Sequence, residues 1–373
     1  MKVKIRIGNE VKEYTGAWED HTLLEVFQEL GITQVHAPCG GNGTCKKCLV
    51  TVEGLGEVLS CQTQCKDDMC VTVAEEQKSA IAENGNCYLY PADAGEGLLA
   101  ACDIGTTTVV CHLLDGATGV RLCTVSAPNA QRSFGADVIS RIQASVDSGL
   151  DKLQSAIVDQ INGMLVQLKQ KAGRTEDIRR LAVAGNTVMS HLFCGLSPES
   201  IGVAPFTPLS LFGESYDAKQ IGIEGCETVY VVPSIAGYVG GDIVADLAAV
   251  QMHSSVLAED GEKETLLLDI GTNGEMVLGK SGSYVCCATA AGPAFEGAEI
   301  AMGMPAASGA ISKVWLEDGK ICCSTINDAP AVGICGSGLI DALAVFLETE
   351  LLDETGLIAD EDEVEEAYAG SLG

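Results

Sequence analysis

The chain has 373 residues, enough for two or three domains. Hydrophobic residues make up 47% of it, but only 7 are Phe and 2 are Trp, so its cores should be mainly aliphatic. The formal net charge of −30 argues against nucleic acids and anionic membranes as partners. No uncharged apolar run reaches about 18 residues and the N-terminus lacks an apolar signal region, so we expect a cytoplasmic protein whose 17 cysteines stay reduced.

The first 30 residues predict a β-hairpin followed by a short helix. Residues 3–7 and 11–15 alternate in polarity, as the two strands of a hairpin do. The segment TLLEVFQEL at 22–30 is typical of a helix with one apolar face. This helix leads directly into a loop rich in glycine and cysteine.

The loop, HAPCGGNGTCKKCLVTVEG, carries three cysteines, and a fourth follows after twelve intervening residues, in VLSCQT. Four thiolates can hold two irons, while the glycines let the loop wrap a cluster and point N–H groups at sulfur. The order of strands, helix and loop resembles plant- or adrenodoxin-type [2Fe–2S] ferredoxins. A zinc ribbon usually needs two C-x2-C knuckles and this loop has one; unligated core thiols are the other alternative. The ligands that the resemblance implies are Cys39, Cys45, Cys48 and Cys61.

The fourth ligand has competitors, because Cys65 and Cys70 lie close behind Cys61. Cys61 is favoured because it follows an apolar strand, as the fourth ligand does in similar domains. Beyond these cysteines, residues 74–98 show little periodicity and predict a linker with one short strand at 87–90.

Two copies of one motif organise the rest of the chain. ACDIGTTTVV begins at residue 101 and LLLDIGTNGEMVL at residue 266, so that Asp-Ile-Gly-Thr recurs with an offset of 166 residues. Each copy predicts a strand, a tight turn and an antiparallel strand. The turn glycines at 271 and 274 are expected to use their tolerance of positive φ to point N–H groups at an anion. Two copies indicate duplicated halves that face each other across a cleft.

Paired turns of this type resemble the phosphate-1 and phosphate-2 loops of the acetate and sugar kinase, heat-shock ATPase and actin superfamily. Two ordinary β-hairpin turns are the alternative. The resemblance implies a clamp on the phosphates of ATP, with Asp103 and Asp269 organising Mg²⁺ and water. The phosphate-binding candidates are Gly105, Thr106, Thr107, Gly271, Thr272, Asn273 and Gly274.

Between the two motifs, strands and helices alternate. A helix is predicted over 136–148 and a long amphipathic helix over 151–172. RRLAVAGNTVMSHLFCG and VYVVPSIAGYVGGDIVADLAAV each predict a strand, a glycine turn and a helix whose start suits an anion. His191 is interpreted as a packed or surface histidine. The cofactor-binding candidates on the two turns are Gly185, Asn186, Thr187, Gly241 and Asp242.

After the second motif, YVCCATA predicts a third strand of the second half. The pairs Cys286–Cys287 and Cys322–Cys323 are interpreted as small core residues on strands. GICGSGLIDALAVFLETELL predicts a glycine-rich turn at 333–338 and then a helix, with Gly336 and Ser337 as further cofactor-binding candidates.

The whole order of motifs is similar to that of the reductive activators of corrinoid-dependent enzymes. The resemblance implies an iron–sulfur oxidoreductase of anaerobic metabolism that uses ATP to drive one low-potential electron from a [2Fe–2S] cluster onto Co(II) of a corrinoid protein, restoring Co(I). It implies a corrinoid-protein acceptor and a low-potential electron donor, and a homodimer is a further expectation. The matching segments are CGGNGTCKKC, DIGTTT, AGNTVM, YVGGDI, LLLDIGTNGE, AAGPAFEGA and GICGSGLIDA.

The expected fold is an α+β ferredoxin-like (β-grasp) domain followed by an α/β actin-like ATPase fold of two duplicated lobes. The expected limits are a cluster domain at 1–74, a linker at 75–97, and ATPase lobes at 98–262 and 263–373.

Two departures set this chain apart from the family that it resembles. The linker is short, so a middle domain found in larger relatives is expected to be absent. Family members continue past the last helix with strands and a Gly-Gly turn that holds adenosine, so an incomplete second lobe is expected here. Residues 266–270 are apolar on both faces, as suits a central strand, but the expected parallel neighbour is missing, so an exposed strand is expected. Either the sequence is a fragment or another chain completes the lobe. Two other functions stay open: a small-molecule kinase with an accessory cluster, and a ferredoxin-type electron carrier whose ATPase-like lobes serve for docking.

Overall fold

The structure is a computed structural model in which β-strands form four sheets. Two compact units occur. The first holds the two N-terminal sheets, and the second holds the last sheet of the chain, while the strands of the remaining sheet are divided between the two units. Among the described residues, no helix combines the length and apolar character needed to cross a membrane. The structure describes all residues except 9, 33, 36, 38–40, 42, 44–47, 74–94, 254–263, 272, 281–282, 292–299 and 360–373.

The N-terminal sheet has the order β2-β1-β5-β3-β4, with β1 parallel to β5 and antiparallel to β2. Helix α1 is closed at its start by a capping box between Thr22 and Glu25, and buries Leu23 and Phe27. This arrangement confirms the predicted hairpin, helix and β-grasp plan. The elements are β1 (Lys2–Ile7), β2 (Glu10–Thr15), α1 (Leu23–Glu29), β3 (Leu49–Val52), β4 (Gly56–Leu59) and β5 (Met69–Val73).

The second sheet has the order β10-β11-β9-β6-β7-β8. Strands β6, β7 and β8 form an antiparallel meander, while β9 joins β6 in parallel and β11 joins β9 in parallel. The edge strand β10 is antiparallel to β11. These strands are β6 (Leu98–Ile104), β7 (Thr108–Asp115), β8 (Arg121–Pro128), β9 (Ile178–Gly185), β10 (Ser215–Asp217) and β11 (Cys226–Val231).

In this part of the chain the long amphipathic helix predicted over 151–172 is confirmed, and the helix predicted over 136–148 is corrected. α3 buries an apolar stripe that packs near β7 and β8, and ends at Gly173, whose φ of 65° supplies a left-handed cap. The helix predicted over 136–148 is shorter, because a π-helical turn at Ser145–Gly149 leads into α3. The helices are α2 (Val138–Ala144), α3 (Leu150–Ala172), α4 (Thr187–Phe193), α5 (Ala218–Ile221) and α6 (Gly241–His253).

The C-terminal part repeats the hairpin plan in a three-stranded sheet, β12-β13-β14. A separate three-stranded sheet has the order β16-β15-β17. Among the described residues β12 lies at the edge of its sheet, and Leu266, Leu268 and Ile270 are exposed, as expected for a strand without its parallel neighbour. The elements are β12 (Thr265–Ile270), β13 (Asn273–Lys280), β14 (Ser283–Ala290), β15 (Ala310–Glu317), β16 (Lys320–Thr325), β17 (Gly333–Ile334) and α7 (Gly336–Glu348).

Two further predictions for this part are corrected. The cysteine pairs do not lie in a core: Cys286, Cys287 and Cys323 are exposed and Cys322 is half-buried. The turn expected at 333–338 is instead the short strand β17 followed at once by α7, because Ala310 and Ile311 of β15 pair with Gly333 and Ile334. Residues 87–90, expected to form a strand, lie outside the described residues.

Candidate functional site

Two of the four predicted cluster ligands come together in the N-terminal domain. Cys48 Sγ lies 3.2 Å from Cys61 Sγ, and both side chains are buried. The register of the β3–β4 hairpin explains this contact: Leu49 pairs with Leu59, so the residue before β3 lies opposite the residues after β4. Ser60 N accordingly donates to Cys48 O at 2.9 Å.

The surroundings of these thiols fit the chemistry of an iron–sulfur cluster. Cys61 Sγ accepts hydrogen bonds from the Gly43 backbone N–H and from Gln62 Nε2, the latter at 3.6 Å. Such donors stabilise the negative charge of cluster thiolates. Gly41 and Gly43 have φ values of 88° and 74°, a region that L side chains rarely adopt, so glycine is needed where the loop turns back towards Cys61.

Without iron, burial raises the pKa of the Cys61 thiol and its contact with Cys48 raises it further. The competing cysteines make other contacts: Cys65 N donates to His21 O at 2.8 Å, and Cys70 lies on β5 opposite Lys4. Cys39 and Cys45 fall outside the described residues. The described thiols therefore favour Cys61 as the partner of Cys48, and the four-ligand set stays a prediction.

The predicted phosphate-1 loop lies between β6 and β7. A Cβ on Gly105 would come within 2.7 Å of Thr108 O, so the turn closes tightly only with glycine there. Asn129, at the end of β8, holds the loop from behind: its Nδ2 donates to Gly105 O at 2.8 Å and its N–H donates to Thr107 O at 2.9 Å. Asp103 lies on β6 with its side chain exposed.

A buried arginine also supports this loop. Arg141 on α2 is fully buried and donates to Thr106 O, to Gly135 O at 3.0 Å and to Met189 Sδ at 3.1 Å. Burial lowers the pKa of Arg141 to about 9, so its charge is retained at neutral pH. The loop thus has a fixed positive charge behind it, which favours an anion.

Sequence reasoning missed both Asn129 and Arg141. A signal existed for the arginine: it lies three residues after Val138 and one before Ile142, on the apolar face of a helix. A charged residue at such a position needs partners that the sequence does not show. For Asn129 the sequence carries no signal, because its partners are backbone carbonyls of the preceding hairpin.

The turn between β9 and α4 meets the phosphate-1 loop. Asn186 caps α4 and its Nδ2 donates to Thr106 Oγ1 at 3.1 Å. Gly185 pairs with Ile104, and a Cβ there would lie 2.8 Å from Ile104 O. Thr187 Oγ1 donates to Ala236 O at 2.6 Å, so this hydroxyl is used within the protein.

The turn before α6 packs against the turn between β9 and α4. Gly240 fits against Asn186, and Gly241 begins α6 with Asp242 in its first turn. Asp242 Oδ1 accepts from Ile243 N at 2.9 Å. The structure therefore brings together the candidates of three turns, with Asn186 as the residue common to them.

We expect Gly240→Ala to destabilise the first lobe. Its Cβ would lie 2.5 Å from Asn186 Cα and 2.7 Å from Thr187 N, both backbone atoms, and such overpacking costs about 1–3 kcal/mol of unfolding free energy. The matched control is Gly163→Ala on α3, where a Cβ meets nothing within 4 Å and helix propensity favours alanine by up to about 1 kcal/mol. Urea unfolding followed by circular dichroism measures both; a stability of Gly240→Ala at or above wild type would contradict the packing argument.

The predicted phosphate-2 loop joins β12 to β13, as expected, but its glycines behave differently. Neither Gly271 nor Gly274 adopts the positive φ that the sequence analysis expected. Gly271 N instead donates to Asn273 O at 2.8 Å, and a Cβ on Gly274 would touch Thr289 Cγ2 at 3.4 Å. Burial raises the pKa of Asp269, which lies half-buried on β12.

The remaining candidates lie at the start of α7 or outside the described residues. Ser337 Oγ donates to Ser312 O at 3.0 Å, and Gly336 is the first residue of the helix. Thr272 is not described. His191, interpreted as a packed or surface histidine, is packed and fully buried: Nδ1 contacts Thr187 O at 2.7 Å, and Nε2 accepts from Leu209 N at 3.2 Å.

Comparison with known families divides the chain into three matched regions. Residues 6–76 match the 2Fe-2S iron-sulfur cluster binding domain, residues 98–255 match the RACo middle region, and residues 263–370 match the C-terminal domain of RACo, described as the ASKHA domain. These matches confirm the fold class inferred from the sequence: a ferredoxin domain followed by an actin-like ATPase domain. The match to the RACo middle region corrects the expectation that a middle domain is absent.

Individual proteins are similar over most of the chain. The corrinoid activation enzyme RamQ of Eubacterium limosum is 32% identical, over 91% of this chain and 70% of its own length. The [Co(II) methylated amine-specific corrinoid protein] reductase of Methanosarcina barkeri is 28% identical, over 68% of this chain and 51% of its own length. A solved structure, a reductive activator for a corrinoid, iron-sulfur protein, has 31% identity and a TM-score of 0.59, over 96% of this chain and 74% of that one.

Proposed function

This chain belongs to the family of reductive activators of corrinoid proteins, and we propose that it uses ATP to transfer one low-potential electron to Co(II) of a corrinoid protein, regenerating Co(I). The observation that carries the proposal is the presence, in one chain, of the buried Cys48–Cys61 thiol pair and of a phosphate-type loop held by Asn129 and Arg141. The thiol pair suits an electron carrier, and the loop suits the binding of a nucleotide.

We propose that the cluster is [2Fe–2S], the type of the matching domain. When bound, it supplies the single electron that the cobalt receives. Gly43 and Gln62 direct N–H groups at the Cys61 sulfur, which stabilises a thiolate ligand. The proposed ligand set is Cys39, Cys45, Cys48 and Cys61.

The nucleotide side of the proposal uses the three converging turns and the second hairpin. Asn129 fixes the carbonyls of Gly105 and Thr107, which leaves the loop N–H groups in one arrangement for phosphate oxygens. Asp103 and Asp269 are proposed to orient Mg²⁺ and water. The remaining proposed nucleotide contacts are Thr106, Gly185, Asn186, Thr187, Gly241, Asp242, Gly271, Thr272, Asn273, Gly274, Gly336 and Ser337.

ATP is required in this proposal because Co(II)/Co(I) lies below the potential of an ordinary ferredoxin, so nucleotide and protein binding energy must change the ligation of cobalt. The acceptor is a corrinoid protein, reduction of the chain needs a low-potential donor, and a homodimer is proposed. We propose that the protein works in a reducing cytoplasm, where the free cysteines that the structure describes stay as thiols. The proposed domain limits are 1–74 for the cluster domain, 75–97 for the linker, and 98–262 and 263–373 for the two ATPase lobes.

The test follows Co(I) formation on a corrinoid protein by its visible absorption, with the reduced, cluster-loaded chain in the presence and absence of MgATP. We expect Co(I) to accumulate faster with MgATP, because the nucleotide lowers the barrier to a reduction that is otherwise uphill. A hydrolysis-resistant analogue serves as control for simple nucleotide binding. Equal rates with and without MgATP would identify a plain electron carrier, and a phosphorylated small molecule formed without any corrinoid would identify a kinase.

A further inference from the structure

Helix α1 of the cluster domain contacts the first ATPase lobe. Gln28 Nε2 donates to Ser133 O at 2.7 Å, in a 3₁₀ segment (Ala130–Ser133) that follows β8. Beside this bond lies a cavity of about 750 Å³, lined by α1 residues such as Phe27 and by α3 residues such as Ala156. Permanent interfaces pack about as densely as protein cores, so a cavity of this size marks a contact that is able to open.

The 3₁₀ segment is also tied to the phosphate-1 loop. Its N-cap is Asn129, whose Oδ1 accepts from Gln131 N at 2.8 Å. The same Asn129 donates to Gly105 O and to Thr107 O. A continuous set of hydrogen bonds and backbone therefore leads from the phosphate-1 loop, through Asn129 and the 3₁₀ segment, to Gln28 of α1.

On the cluster side, α1 reaches the cysteine loop. A Cβ built on Gly41 would lie 3.6 Å from Leu24 Cδ2 and 3.8 Å from Cys61 Cβ, so this glycine sits between α1 and the cysteine. Leu24 precedes Gln28 by one helical turn. The helix that touches the ATPase lobe is thus the helix that supports the cluster loop.

We propose that α1 and the 3₁₀ segment form a docking contact, strengthened by phosphate at the Gly105–Thr107 loop, that holds the cluster domain against the first lobe. The peptide group between Gly105 and Thr106 explains the direction of the effect. Its carbonyl accepts from Asn129, and a peptide whose N–H donates to an anion becomes a better acceptor at its carbonyl. Phosphate at the Thr106 N–H therefore tightens the hold of Asn129 and orders the segment that receives Gln28.

The 3₁₀ segment has a feature that permits two arrangements. Gln131 Nε2 donates to Leu153 O at 2.8 Å, but Gln131 Oε1 is buried with no hydrogen-bond partner in the described part of the chain. An unpaired buried oxygen raises the free energy of the docked arrangement, which makes release of the segment less costly. The inference rests on the proposed function: bound nucleotide holds the cluster domain, and loss of the terminal phosphate frees it to reach the corrinoid protein.

The test compares wild type with Gln28→Ala and with the matched control Gln143→Ala, in cluster-loaded full chains. Gln143 is a glutamine of the same lobe whose Nε2 bonds to Asp147 at 2.9 Å, away from α1. Small-angle X-ray scattering without nucleotide gives the radius of gyration, and titration calorimetry gives the dissociation constant of MgATP. Because coupling is reciprocal, we expect Gln28→Ala to have a larger radius and to bind MgATP about 5-fold more weakly, while Gln143→Ala matches wild type.

Gln28→Glu, whose carboxylate has no proton to donate to Ser133 O, should reproduce both changes and guards against an effect peculiar to alanine. Equal MgATP affinities of wild type and Gln28→Ala, including the absence of binding by both, overturn the proposal, and so does an unchanged radius of gyration. Failure of the proposed function is recognised separately: wild type would then form Co(I) at the same rate without MgATP, whatever the Gln28 variants do to radius and affinity.

Discussion

Cys61→Ala is expected to abolish the iron–sulfur cluster. Wild-type chain purified without oxygen should be brown and contain about two irons, as this type of cluster requires. The alanine variant should be colourless with iron near zero, because Cys61 is the buried thiol 3.2 Å from Cys48 and the one that receives N–H groups from Gly43 and Gln62. Iron and sulfide assays, with visible absorption and electron paramagnetic resonance of the reduced protein, measure the loss.

The matched controls are Cys65→Ala and Cys70→Ala, which lie nearby in sequence and make other contacts. Both should keep the wild-type spectrum and iron content. Cys65 is buried, so Cys65→Ala leaves a small void, and its thermal unfolding should be compared with that of Cys61→Ala to separate folding from ligation. A brown Cys61→Ala protein together with a colourless variant at either neighbour would move the fourth ligand there.

Asp269→Ala is expected to remove the stimulation of Co(II) reduction by MgATP while leaving the cluster spectrum unchanged. The carboxylate lies half-buried on β12, the strand that enters the Gly271 turn, where a single oxygen ligand organises Mg²⁺ and water in the proposed site. Cys48 and Cys61 lie next to strands of a different sheet, so the absorption of the cluster should not respond. Co(I) formation with and without MgATP, and the visible spectrum of the variant, are the two measurements.

Asp269→Asn keeps the size of the side chain and should behave like the alanine variant, because the amide lacks the charge that holds Mg²⁺. Asp177→Ala is the control: this exposed aspartate lies 3.8 Å from the half-buried Lys169, and ion pairs open to solvent contribute little. Full MgATP stimulation in Asp269→Asn would show that the carboxylate charge is not used. An altered cluster spectrum in either Asp269 variant would show that the two sites are not independent.

Local patterns in the sequence determined most of the secondary structure and the identity of the candidate turns. The alternating residues of 3–15 form β1 and β2, the apolar spacing of 151–172 forms α3, and both Asp-Ile-Gly-Thr copies lie where one strand leads into its neighbour in the sheet. These features depend on side-chain periodicity and on the few conformations of tight turns, which are properties of neighbouring residues. The same local information carried the resemblance to corrinoid activators.

Tertiary structure alone decided which side chains support those turns. The contacts of Asn129 and Arg141 with the phosphate-1 loop join residues up to 35 positions apart, and the contact between Cys48 and Cys61 follows from the β3–β4 register. The exposure of Cys286 and Cys287 also depends on what packs against β14, which periodicity does not show. Burial and backbone hydrogen bonding are set by segments distant in the chain, so a single sequence carries the residues of a site but not the partners that fix their charge and orientation.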